Sequence, residues 1–352
     1  MNVIIIPAYQ PNHLLIHLVD DLLALNFNII IIVDDGSRTD TAPLFASLEA
    51  KKCHVVHHSI NLGKGAAIKT GIQYAQDTFP EVSGYITCDA DGQHQAKDIL
   101  NISNTLSLNP TSLVLGSRDF SSPNVPKKSR MGNRFSSFYF KLTTGISCHD
   151  TQTGLRGIPK SLRALALSIK ENRYDYEMTF LTTAAKLGHP LIMTPISTVY
   201  LDSNASSHFR PFVDSVRIYK EPIKFALSSL LCAGVDIGLF TLISLLLNDS
   251  ILKVVFIATV IARIVSGILN FLLNRRWSFK NLGSIKRQFI RYFFLYLLQL
   301  GLSITFVTLL SVLPIHLTWI KLIVDFILFI GSFVIQKNWV FGAQRSKSTP
   351  SI

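Results

Sequence analysis

The 352 residues leave room for one large soluble domain and a compact membrane domain, and 48% of them are hydrophobic. The net charge of +12 is unevenly divided. Residues 1–222 carry 21 Lys/Arg against 19 Asp/Glu, whereas residues 223–352 carry 13 against 3, clustered at the edges of long apolar stretches, which excludes nucleic acid as the reason for the excess.

The first hundred residues predict an α/β arrangement. Val3–Ile6 is a β-branched run stopped by Pro7, and Asn12–Leu25 has helical apolar spacing. Asn28–Val33 is a second apolar strand that runs into Asp34 and Asp35. Val55–His57 follows as a third strand, Ala66–Tyr74 as a helix, and Gly84–Cys88 as a fourth strand ending at Asp89. Unalternating apolar strands separated by helices predict a mostly parallel sheet covered on both faces. Ligands gather beyond the carboxyl ends of such strands, where Pro7, Asp34–Gly36 and Asp89–Asp91 all fall. There is no G-x-G-x-x-G or Walker A sequence.

Asp89 and Asp91, with Gln93 two residues further on, can turn toward one ion from an extended segment. A hard divalent cation, Mg²⁺ or Mn²⁺, prefers such oxygen ligands and keeps positions open for substrate phosphates. It would neutralise the diphosphate that leaves a sugar nucleotide. Asp34, Asp35, Gly36 and Ser37 offer acceptors to a nucleoside, or else form a capped polar turn. Asn61-Leu62-Gly63-Lys64-Gly65 opens a helix whose N–H groups can meet an anion beside the Lys64 charge, or serves as a flexible loop.

Leu113–Gly116 is a further strand, and Asp119–Lys128, with Pro123 and Pro126, reads as a loop. Ser129–Leu142 mixes aromatic and basic residues, as either a membrane-surface element or a packed helix. In it Arg130 and Arg134, four apart, share a helical face, with Phe135, Phe138 and Tyr139 beside them. Asp202–Arg210 is polar and leads to an interfacial segment at 211–224.

Four stretches of bilayer length follow: Phe225–Leu247, Val254–Leu273, Tyr292–Leu313 and Ile315–Gln336. At about 20 residues each, helices rising about 1.5 Å per residue cross a hydrocarbon layer of about 30 Å. Arg217, Lys220 and Lys224 precede the first stretch, Arg275, Arg276, Lys280, Lys286, Arg287 and Arg291 separate the second from the third, and Lys337, Arg345 and Lys347 follow the fourth. The positive-inside rule then puts both termini and the catalytic domain in the cytoplasm. Asp236, Arg263, Lys321 and Asp325 lie inside the stretches, with Lys321 and Asp325 one helical turn apart and Asp236 and Arg263 able to pair between helices. They serve either packing or contact with a lipid phosphate or glycan. Cys53, Cys88, Cys148 and Cys232 have neither disulfide nor metal spacing, consistent with a reducing compartment, and the short Val3–Pro7 run does not read as a signal peptide. No internal repeat emerges.

Taken in order, the motifs of residues 3–210 resemble family-two glycosyltransferases of GT-A fold, on the branch of dolichyl-phosphate and polyprenyl-phosphate sugar synthases. They are Ile6-Pro7-Ala8-Tyr9, Asp34-Asp35-Gly36-Ser37 with Asp40, Asn61 to Gly65, Asp89-Ala90-Asp91-Gly92-Gln93-His94, Gly116-Ser117-Arg118, Asp150-Thr151-Gln152-Thr153-Gly154, Glu177, and Ser207-His208-Phe209-Arg210. The resemblance implies donor contacts from Pro7, Ala8, Tyr9, Asp34, Asp35, Lys64, Asp89, Ala90 and Asp91, and a metal on Asp89, Asp91 and Gln93. It implies phosphate contacts from Arg118, Arg130, Arg134 and Arg210, and catalytic roles for Asp91, Arg118, Asp150 and Glu177. Gln10-Pro11 departs from the family's usual Asn-Glu, which leaves the nucleobase open. Residues 223–341 resemble the four-span GtrA-like membrane domain, notably in Asn270–Phe279.

The expected product is a polyprenyl-phosphate monosaccharide, formed with inversion from a nucleoside-diphosphate sugar by a multi-pass protein of a bacterial inner membrane. A second copy or a flippase are further candidate partners. A processive polysaccharide synthase using Glu177 as base, and a non-catalytic translocase or scaffold, are the alternatives. The expected boundaries are 1–210, 211–224, 225–341 and a flexible tail at 342–352.

Overall fold

The computed structural model describes residues 1–121, 125–197, 216, 219–247, 250–281, 283–314 and 316–342. It divides into two compact units, Met1–Ile218 and Tyr219–Ile352. Arg210 and the polar segment around it lie outside the described residues.

The first unit is built on a seven-stranded sheet. Strands β1 (Asn2–Ala8), β2 (Ile30–Asp34), β3 (His54–His57) and β4 (Gly84–Thr87) are parallel to one another and form one half of it. The other half adds β5 (Leu113–Arg118), β6 (Arg156–Pro159) and β7 (Leu191–Ile196), in the overall order β3-β2-β1-β4-β6-β5-β7. Only β6 runs antiparallel to its neighbours, β4 and β5. The sheet is therefore mostly parallel, as the unalternating runs predict.

Alternate residues of β1 enter opposite cores. Val3 and Ile5 join Ile31 and Val33 under helices α3 (Lys64–Thr78), α6 (Arg163–Ser168) and α7 (Asp175–Lys186). Ile4 and Ile6 join Ile30 and Ile32 under α1 (Leu14–Ala24), α2 (Ala42–Ala50) and α4 (Ala96–Leu108). Burial on both faces favours β-branched residues, each worth roughly 1.5–3 kcal/mol when fully enclosed. The parallel strands β1, β2 and β4 end at one edge of the sheet, which brings Tyr9, Asp34 and Asp89 to the same side.

Helix α5 (Lys127–Thr144) has two distinct faces. Asn133, Ser136, Tyr139 and Phe140 are buried, while Met131, Phe135 and Phe138 are more than half exposed. The packed-helix reading describes the buried face, to which Tyr139 belongs, and the other face leaves Phe135 and Phe138 exposed.

The second unit contains four helices, Lys220–Leu246, Ile251–Leu273, Ile285–Leu310 and Leu317–Ile335, all long and apolar enough to cross a membrane. The third begins seven residues before the expected Tyr292, because Ile285–Arg291 adds two polar turns to its start. The second and fourth helices each end in a π turn, Asn274–Ser278 and Gln336–Val340. These turns carry Asn-Arg-Arg-Trp-Ser-Phe and Gln-Lys-Asn-Trp-Val-Phe. Lys224 lies 5.6 Å over the Trp277 ring, and Arg291 lies 5.4 Å over that of Trp339. Asn274 donates to Gln336 Oε1 at 3.0 Å, joining the two turns. The second and fourth helices thus close on similar π turns, a likeness that few identities mark in the sequence.

Candidate active site

The loop after β2 is organised by its own carboxylates. Asp34 accepts from the Ser37 N–H at 2.9 Å and lies 2.8 Å from His57 Nδ1. Asp35 accepts from the Leu62 and Gly63 N–H groups at 2.9 and 2.8 Å and lies 2.8 Å from His58 Nδ1. The anion met by the loop before α3 is thus a protein carboxylate, which corrects the reading of Asn61–Gly65 as an open anion cradle. Gly63 has φ +105°, and a Cβ there would lie 2.5 Å from the Asn172 carbonyl, so this loop needs glycine. Gln10, the departure from the family pattern, accepts from Arg38 Nε at 2.9 Å. Tyr9 is 38% exposed at the end of β1.

Lys64, the first residue of α3, reaches across to the end of β4. Its Nζ lies 2.7 Å from Asp89 Oδ1 and 3.0 Å from Glu177 Oε2. Burial disfavours its charge, but Asp89 and Glu177 outweigh burial and hold the ammonium protonated. Burial likewise opposes the Asp89 charge, yet Lys64 foremost pulls that carboxyl down to about 2. The backbone N–H of Asp89 donates to His94 Nδ1 at 3.0 Å. Burial lowers the His94 pKa, in keeping with a neutral ring whose Nδ1 accepts.

Asp91 is different. Burial and the neighbouring Asp89 charge push it up to about 6, and among the described residues it makes no ion pair. Its Oδ1 accepts from the Gln93 N–H at 3.0 Å. A second carboxylate beside Asp89, raised by burial and by that neighbour's charge, is the donor set that a hard divalent cation satisfies. Among the described residues no three His, Cys, Asp or Glu side chains converge. Two carboxylates with the Gln93 amide still fit Mg²⁺ or Mn²⁺, because these ions share their coordination with substrate phosphates and water.

The segment before β6 closes the site. A Cβ at Gly154 would lie 2.3 Å from Asp89 Oδ2, so only glycine lets this backbone approach the carboxylate. Asp150 is held by Arg118 through both oxygens, Nε–Oδ2 at 2.7 Å and Nη2–Oδ1 at 3.1 Å, with no exposed side-chain surface. That geometry supports holding Arg118 and not direct contact with a sugar. The Arg118 guanidinium also lies 5.1 Å over Phe120, and Arg130 Nε donates to the Phe120 carbonyl at 3.0 Å. Arg130 therefore sits near Arg118, while Arg134 is exposed one turn along α5. Glu177 is 8% exposed, with Oε1 buried and lacking a hydrogen-bond partner.

Three residues escape a sequence reading. Arg156, 2% exposed, donates to the carbonyls of Thr153 at 3.0 Å, Glu177 at 2.7 Å and Thr151 at 3.3 Å. His57 and His58 anchor the paired aspartates, for which the only signal is their position at the end of a strand.

Glycosyl transferase family 2 matches residues 3–164, and the GtrA/DPMS transmembrane domain matches residues 216–341. An uncharacterized protein of Methanocaldococcus jannaschii is 30% identical over 209 residues, covering 58% of this chain and 83% of that one. The UDP-N-acetylglucosamine–dolichyl-phosphate N-acetylglucosaminyltransferase of Methanococcus voltae is 31% identical over 218 residues, covering 56% and 86%. A dolichyl-phosphate beta-glucosyltransferase of Dictyostelium discoideum is 27% identical over 252 residues, covering 65% and 74%. The chain belongs to glycosyl transferase family 2 and, with its GtrA/DPMS domain, is a multi-pass membrane protein.

Proposed function

We propose that this family-2 glycosyltransferase moves a sugar from a nucleoside diphosphate to a membrane polyprenyl phosphate, with inversion at the anomeric carbon. One arrangement carries the reading. Asp89 and Asp91 end a central strand beside Lys64, Glu177 and Arg118, in a chain that also spans the bilayer. Both functionally named relatives use dolichyl phosphate by name, and one of them a UDP-sugar, which supports this class of acceptor and donor.

A phosphate monoester is mostly dianionic at neutral pH, its second pKa being about 6. Its oxygen attacks the anomeric carbon as the bond to the diphosphate breaks, converting an α-linked donor to a β-linked product. No hydroxyl has to lose a proton, so no strong base is required. Glu177, with one oxygen held by Lys64, suits positioning better than proton abstraction, which favours this reading over a processive polymerase. A Mg²⁺ or Mn²⁺ ion on Asp89, Asp91 and Gln93 would supply positive charge against the departing diphosphate.

Pro7 to Tyr9, Asp34 and Asp89 to Asp91 line the donor side, and Asp35 and Asp150 position the loop and Arg118. Arg118, Arg130 and Arg134 serve the phosphates, with Arg210 as a late contact. The positive-inside pattern supports a cytoplasmic catalytic unit, in a bacterial inner membrane.

The test supplies metal-supplemented membranes with labelled UDP- and GDP-sugars and undecaprenyl phosphate, followed by mass measurement of extracted lipid. A single sugar on the lipid phosphate is expected. A polymer would establish the processive alternative, and no lipid-linked product from any donor would overturn the proposal. Replacing Arg130 and Arg134 together with Gln is expected to raise KM for polyprenyl phosphate about tenfold or more, since bonds to a charged partner contribute about 1.5–3 kcal/mol. Donor affinity should stay within about twofold of wild type. Its collapse with unchanged acceptor dependence would assign both residues to the donor pocket.

A further inference from the structure

Helix α5 turns its aromatic residues two ways. Tyr139 and Phe140 are buried, whereas Phe135 is 53% and Phe138 54% exposed, with Met131 at 71% beside them. At about 100° per residue the three exposed side chains fall within an arc of roughly 60°. Among the described residues, no other helix of the first unit exposes more than one large apolar side chain. Lys127, Arg134 and Lys141 are also exposed and lie together along one margin of that arc. Residues 120–149 contain five Lys or Arg and no Asp or Glu.

An exposed apolar strip edged with cations is the pattern of a helix lying in a membrane interface. The chain supplies that surface itself, since it crosses a bilayer that keeps the first unit close by. The charges inside the spans are met within the chain, Arg263 lying 3.6 Å from Asp236 and Lys321 2.8 Å from Asp325. Lys127, Arg134 and Lys141 have no acidic residue on their own helix, and anionic headgroups would complement them. A second copy of α5 would instead bring like charges together.

We propose that α5 docks on the anionic surface of the bilayer that the chain spans. Met131, Phe135 and Phe138 enter the boundary of the acyl chains, and Lys127, Arg134 and Lys141 meet headgroup phosphates. The opposite face of the helix leads to the active site. Asn133 Nδ2 donates to the His149 carbonyl at 2.6 Å, and Ser136 Oγ lies 2.5 Å from Thr151 Oγ1. These bonds fall on either side of Asp150, which holds Arg118. A docked α5 therefore fixes the segment that orients Arg118 at a set height above the lipid. The docking is independent of which lipid accepts the sugar.

The test uses the full chain in nanodiscs, with a nitroxide on Met131→Cys or Phe138→Cys. Labels on Leu108→Cys and Leu187→Cys, exposed elsewhere on the first unit, serve as controls. The four native cysteines are buried, so the unsubstituted chain gives the labelling background, and a rise in native labelling would reveal unfolding. Paramagnetic resonance reads collisions with oxygen, which concentrates in lipid, and with a nickel chelate, which stays in water. In discs containing phosphatidylglycerol, the oxygen-to-nickel ratio on α5 should be several times that of both controls. Labels that favour nickel as the controls do would place α5 in water, and labels shielded from both reagents would place it under protein; either overturns the proposal. The ratio on α5 should fall in discs of phosphatidylcholine alone. It should also fall in the anionic discs when Lys127→Gln and Lys141→Gln are combined, since each lysine near such a surface contributes about fivefold to binding. A ratio that neither change moves would overturn the assignment to an anionic surface.

Discussion

Asp91→Asn is expected to reduce sugar transfer on the order of 10²–10³-fold while the protein stays folded and in the membrane. Asp91 is the cleaner of the two aspartates to change. Asp89 also holds Lys64 and packs against Gly154, so its replacement disturbs the site as well as the charge. In the Asp91→Asn variant the side-chain amide oxygen can keep the bond from the Gln93 N–H, and what disappears is the negative charge. The sign of the stability effect separates this from misfolding. Because the fold raises the Asp91 pKa to about 6, its ionised form opposes folding above that pH, and a neutral side chain should leave the unfolding temperature unchanged or slightly higher. Chelator should silence wild type, with recovery on added Mg²⁺ or Mn²⁺, and Mn²⁺ binding followed by its paramagnetic resonance should weaken about tenfold or more in the variant. Transfer within about threefold of wild type would remove Asp91 from the metal site.

The sequence shows the nucleotide-binding half of the sheet well because its strands are buried on both faces. Val3–Ile6 and Asn28–Val33 read as unbroken apolar runs, and Pro7, Asp34 and Asp89 end them where ligands collect. Strand β6 leaves no such trace. Arg156-Gly157-Ile158-Pro159 has little strand propensity and becomes a strand because β4 and β5 flank it. Strand β7 contains Pro195, a residue confined to positions such as its place at the sheet edge.

The site divides in a similar way. Asp89 and Asp91 announce themselves by position, but the use of each carboxylate depends on distant neighbours. Asp34 and Asp35 look interchangeable in sequence, yet Asp35 secures the Leu62–Gly63 backbone while Asp34 holds its own turn. The link from Lys64 to Asp89 and Glu177 joins segments far apart in the chain, and local spacing gives no hint of it.

Arg156→Met should show how strongly those distant links depend on one buried cation. Its guanidinium donates to three main-chain carbonyls in a dry interior, those of Thr151, Thr153 and Glu177. Methionine fills much of the volume but leaves those acceptors without their donors, at about 1–3 kcal/mol each where water cannot replace them. Partial relaxation makes a loss of about 3 kcal/mol reasonable. In a unit of this size that lowers the unfolding temperature by about 6–12 °C. The same change should weaken donor binding, because Thr151 and Thr153 lie between Asp150, which holds Arg118, and Gly154, which touches Asp89, while Glu177 holds Lys64. Arg156→Lys keeps the charge and part of the donor set, so it should fall between wild type and Met in both measurements. An unfolding temperature within about 2 °C of wild type in Arg156→Met would show that the three carbonyls find other partners, and that the loop holds its shape without Arg156.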